Sequence, residues 1–107
     1  MKDVQRIALL YDFYGPLLTP RQQELVQAYY LEDLSLAEIA ENDGVSRQAV
    51  HDLIKRSEVA LQEYEDRLGF VREYQHRQAL LAGLEDALDR ADLGTARKLV
   101  AELKDEA

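Results

Sequence analysis

The side chains that could do chemistry gather in one short stretch. Arg47, Gln48, His51, Lys55 and Arg56 follow one another within three helical turns. Arginine and glutamine near the start of a helix are the residue types that read guanine and adenine edges in a major groove. Lysine and further arginines neutralise phosphates. Asp52 stands among the five and opposes them, since a carboxylate repels the same phosphates. The bland alternative is a solvated helix face that touches nothing. Other chemistry finds no support. The chain has no cysteine, which removes thiolate metal sites, disulfides and a thiol nucleophile. His51 and His76 stand far apart in sequence without the spacing of a metal-binding helix. The glycines are scattered, so no loop is built to cradle a phosphate. Ser35, Ser46 and Ser57 read as two helix caps and a small core residue, not as nucleophiles. The expectation is a binding protein, neither an enzyme nor a holder of a metal or cofactor.

Presenting those five residues takes a particular pair of elements, and residues 35–58 spell it out. Ser35 with Glu38 three positions on is a capping box. It opens a short helix with Leu36, Ile39 and Ala40 on one face. Gly44 supplies the left-handed residue that ends it, with Val45 expected to pack inward just after. Ser46 caps the next helix, whose Val50, Leu53, Ile54 and Ser57 face the same core. Two helices joined through a glycine turn form a helix-turn-helix. The series continues through Leu61, Tyr64 and Leu68 at alternating spacings of four and three. The second helix is therefore expected to run to about Arg67 and to break at Gly69.

Before the motif, residues 2–14 are expected to be helical, with Val4, Ala8, Leu9 or Leu10, and Tyr11 on one face and a break at Gly15-Pro16. Tyr11, Phe13 and Tyr14 could stack on bases, but aromatics at this spacing are expected to be core. Thr19-Pro20 starts the next helix, with threonine as N-cap and proline at the first position. That helix carries Leu25, Val26, Tyr29 and Tyr30 and ends near Leu31 to Asp33. After Gly69, a heptad-like series runs Phe70, Tyr74, Arg77, Leu81, Leu84, Leu88, Ala91. Gly94 and Thr95 are read as a stop and a new cap before a last helix over 96–105 bearing Leu99, Val100 and Leu103. The fold class is all-α. Residues 1–69 form the helix-turn-helix domain. Residues 70–107 form a C-terminal helical hairpin that packs on the same core or on a dimer partner, and a homodimer is expected.

The net charge is −8, unusual for a nucleic-acid binder. Of the segments 1–18, 19–44, 45–58, 59–69 and 70–107, only 45–58 is net positive, at +1. Arg47, Lys55 and Arg56 could make about three phosphate contacts per chain, a salt slope near −2.7. Tight binding would need a dimer, a specific site or another partner. No apolar run is long enough for a membrane span, and the first residues lack the pattern of a signal peptide. A cytoplasmic location is expected.

The stretch from LTPRQQELVQ to DLIKRSEVAL resembles region 4 of bacterial sigma factors, which reads promoter DNA with such a motif. Over residues 9–70 the chain is more similar to the YlxM-like family of small bacterial helix-turn-helix DNA-binding proteins. LLYDFYGPLLTPRQ ahead of the motif separates that family from sigma factors, and the likeness runs on through SLAEIAENDGVSRQAVHDLIKR to LQEYEDRLGF. The resemblance implies a regulatory or accessory role in the signal recognition particle pathway. The implied partner is duplex DNA, the particle's RNA or its basic protein subunit. The positions that would carry nucleic-acid binding are Arg47, Gln48, His51, Lys55 and Arg56.

Overall fold

A computed structural model describes residues 2–105. Among them every regular element is helical, and the chain divides into two compact units, Met1–Gly69 and Phe70–Ala107.

The first unit is built round one long helix. Helices α1 (Val4–Tyr14), α2 (Pro20–Val26) and α3 (Leu36–Asp43) each pack on α4 (Arg47–Leu68). Their apolar faces meet in a core of Leu10, Tyr14, Leu25, Val26, Val50 and Leu61, with Ile39 and Ile54 under the motif. Capping follows the sequence closely. Thr19 caps α2 and Ser35 caps α3, each in a reciprocal capping box, with Gln22 and Glu38 respectively. Ser46 caps α4 by accepting from the Ala49 N–H. Gly44 is left-handed at φ 68°. The Gly44 N–H donates to the Glu41 carbonyl and the Val45 N–H to the Ala40 carbonyl, the paired bonds of a Schellman stop. Gly69, left-handed at φ 66°, ends α4 one residue beyond Leu68, its N–H donating to the Glu65 carbonyl at 2.8 Å.

The burial pattern corrects several expectations. Val45 does not pack inward; it is 44% exposed, because the stop holds its backbone by hydrogen bonds and needs no side-chain anchor. On α1 the buried residues are Ile7, Leu10 and Tyr14 while Val4 is exposed, so the face is set by where α4 lies. Of the three aromatics, Tyr14 is core and Tyr11 and Phe13 are half-buried. Leu68 is exposed at the C-terminal end of the α4 series. Ser57 is fully buried and donates its hydroxyl to the Leu53 carbonyl at 2.8 Å. Glu65 is also buried and accepts from the Tyr14 hydroxyl at 2.6 Å.

One feature has no counterpart in the sequence reading. The end of α2 widens into a π-helical turn, Gln27–Leu31, closed by the Glu32 N–H on the Gln27 carbonyl at 2.8 Å. This turn swings Tyr30 into the unit and sets Tyr29 edge-on against it, with ring centroids 5.0 Å apart.

The second unit comprises α5 (Phe70–Asp89) and α6 (Leu93–Asp105), and the contact between them does not follow the heptad series. Phe70, Arg77, Leu81, Leu88 and Ala91 of the heptad series are exposed, while Leu80, Ala87 and Ala96 are buried. A side chain at Gly83 would come within 3.3 Å of Leu99. The helices approach closely where Gly83 leaves room for Leu99, and Leu81 and Leu88 fall outside this seam. The connection also differs. Ala91, not a glycine, takes the left-handed position at φ 56°, and the Asp92 N–H donates to the Ala87 carbonyl at 2.8 Å. Asp92 then caps α6, accepting from the Thr95 N–H and hydroxyl. Gly94 and Thr95 lie inside the first turn of a helix that begins three residues before position 96.

Candidate nucleic-acid interface

The cap at Ser46 and the stop at Gly44 fix where α4 begins, and so which of its residues lead. Arg47, Gln48, His51, Lys55 and Arg56 are all exposed. They fall into two rows a helical turn apart, Arg47–His51–Lys55 and Gln48–Asp52–Arg56. Together the rows wrap half the circumference of the helix, on the side away from Val50, Ile54 and Ser57.

Each row carries one free arginine, and the second also carries Asp52. Among the described residues neither Arg47 nor Arg56 has a hydrogen-bond or ion-pair partner, so both guanidinium groups are free for phosphate. Asp52 sits between them and accepts from Gln48 Nε2 at 2.8 Å, with His51 Nδ1 3.5 Å from the same carboxylate oxygen. The Gln48 amide is thus held by an acid of its own helix. Lys55 Nζ lies 3.6 Å from Glu58 and is largely exposed; its stem can swing to a ligand.

The first row borders an open cleft of about 390 Å³, lined by His51, Lys55 and Glu58 of α4 together with Lys2, Tyr30 and Leu36. Lys2 was not legible as part of this region, because only tertiary packing brings it there. Its ammonium lies 3.9 Å from the Tyr29 ring centroid, donates to the Tyr29 carbonyl at 2.8 Å and pairs with Asp33 at 3.2 Å. Across the cleft the Tyr30 hydroxyl donates to Glu58. Burial, then the bond to Glu58 and its charge, push the Tyr30 phenol well above its ordinary value. The cleft mixes both signs of charge and favours neither. Among the described residues no group of three or more His, Asp or Glu could hold a metal ion, and no helix is long and apolar enough to cross a membrane.

Residues 1–101 match the family model described as "Putative helix-turn-helix protein, YlxM / p13 like". A UPF0122 protein of Symbiobacterium thermophilum is 74% identical over 107 residues, covering the whole of both chains. A UPF0122 protein of Geobacillus kaustophilus is 47% identical over 84% of this chain and 82% of its own. One of Listeria innocua is 52% identical over 79% of this chain and 77% of its own. The chain belongs to the UPF0122 family of YlxM/p13-like helix-turn-helix proteins.

Proposed function

We propose that this chain is a nucleic-acid-binding regulatory or accessory protein that presents the first half of α4 to its ligand. The observation that carries this reading is the free, exposed pair Arg47 and Arg56 on either side of a helix whose start is fixed by a cap and a left-handed glycine. The contact would rest on phosphates first, with Gln48 and His51 placed to meet base edges. Asp52 sets a ceiling on affinity for a bare duplex.

The narrower role is in the signal recognition particle pathway, on the particle's RNA or its basic protein subunit. Its support is the family resemblance together with charge. A net charge of −8 disfavours long-range capture by duplex DNA and suits a partner that is itself basic. The second reading is a dimeric transcription regulator, favoured by the motif itself, with two recognition helices about 34 Å apart on a palindrome. A third keeps the motif as scaffold for protein contacts, favoured by the Gln48–Asp52 bond. Binding to the particle's RNA and to duplex DNA of equal length separates them. Preference for RNA supports the pathway role, preference for duplex the regulator, and binding to neither the scaffold.

A further inference from the structure

We propose that the α5–α6 hairpin pairs with the same hairpin of a second copy, forming a four-helix bundle about a two-fold axis that runs along the helices. Self-association is part of the functional expectation above, but this surface and this arrangement rest on the second unit alone.

The seam fixes the geometry. Gly83 against Leu99 sets which sides of the two helices face each other and at what level, and Ala87 and Ala96 are buried. Each residue turns a helix by about 100° and rises about 1.5 Å. A turn of about 100–120° from Ala87 on α5 brings up Leu88 and Leu81, and the same turn from Leu99 on α6 brings up Val100 and Leu93. Because the helices are antiparallel, both turns lead to the same side of the hairpin. The four side chains are 40%, 56%, 62% and 40% exposed. They fall into two levels, Leu88 beside Leu93 and Leu81 beside Val100, about one heptad apart. A lone exposed leucine is ordinary. Two stacked apolar levels on one face of a hairpin form half of a bundle core.

Charge selects the partner and the axis. On this face Glu85 lies at the outer edge of α5 and Arg97 at the outer edge of α6, at nearly the same level. Neither has an ion-pair partner among the described residues. A two-fold axis along the helices sets α5 against the antiparallel α6 of the other copy. Each Glu85 then meets an Arg97 of the other copy, and each level then holds four apolar side chains. An axis across the helices would instead set Glu85 against Glu85. The hairpin face is therefore complementary to itself in one orientation only. An interface of two levels is small beside a standard one, so association belongs in the range of about 1–100 µM.

Sedimentation equilibrium of the full chain between about 2 and 400 µM, near 150 mM salt, reads the result directly. The expected mass rises from 12.3 kDa towards twice that value. Leu88→Glu with Leu93→Glu is expected to hold the chain monomeric throughout, with unchanged far-ultraviolet helicity, since both sites are exposed. Glu85→Arg and Arg97→Glu are each expected to weaken association about threefold to tenfold, and the two combined to restore it to within about twofold. A parent that stays monomeric at the top concentration overturns the proposal and leaves the face to a different protein. A Leu88/Leu93 variant that dimerises like the parent overturns the surface. A double charge variant no better than the singles overturns the arrangement.

Discussion

Asp52 is the residue that most separates this α4 from a strong DNA reader. It accepts from Gln48 at 2.8 Å and lies between the two free arginines. Asp52→Asn removes a charge that repels phosphate and loosens the hold on Gln48. Affinity for the preferred nucleic acid is expected to rise about threefold to tenfold near 100 mM salt, read by fluorescence anisotropy; unchanged or weaker binding would place the ligand elsewhere. Tyr30 gives a test by pH. Its phenol is raised by burial and by Glu58, so its contribution to stability is present below about pH 10 and is lost as the pH rises through the raised value. Ultraviolet titration should find one of the six tyrosines still protonated after exposed phenols have ionised. An earlier onset of that late titration in Glu58→Gln, which keeps the oxygen but not the charge, would assign it to this pair. Asp92 works in the opposite sense. The Thr95 hydroxyl and then its N–H hold the Asp92 carboxyl below the usual range, so that contribution is present above about pH 4 and fades as the pH falls through the lowered value.

Elements were legible where local chemistry decides them. Ser35, Ser46, Thr19-Pro20, Gly44 and Gly69 act within four residues of themselves, and each cap or stop stands where its residue type requires. Faces were less legible, because a face is chosen by the element that packs against it. The heptad series on α5 is present in the sequence, yet the seam runs over Gly83 and Ala87 because close approach rewards small residues. The π-helical turn over Gln27–Leu31 carries no local signature at all. The five proposed site residues were readable as exposed, since the inward series Val50–Ile54–Ser57 leaves them no other side, whereas the bond between Gln48 and Asp52 and the nearness of Lys2 emerge only from three dimensions. Two substitutions measure these local devices. Gly44→Ala meets nothing within 4 Å, so its cost is the left-handed backbone alone, about 1–2 kcal/mol. Ala91→Gly runs the other way: it relieves a left-handed alanine and is expected to stabilise by about 0.5–1 kcal/mol. Thermal melts should therefore move down and up by several degrees respectively, and equal shifts of one sign would contradict the conformational account.

For the whole molecule the issue is how an acidic chain would engage a polyanion. Only the segment 45–58 is net positive, so attraction is short-ranged and confined to α4. A chain with two free arginines and one lysine that can swing should show a salt slope of about −2 to −3, doubled if two copies bind together. The measurement that tests the central claim is the affinity of the full chain for signal recognition particle RNA and for duplex DNA of equal length, with salt stepped from about 50 to about 200 mM. An Arg47→Ala, Lys55→Ala, Arg56→Ala variant would be titrated beside the parent. The account predicts saturable binding to one of the two, a slope in that range per chain, and loss of both affinity and slope in the variant. Absence of binding to either ligand, or a variant that binds as the parent does, would contradict a nucleic-acid role for α4.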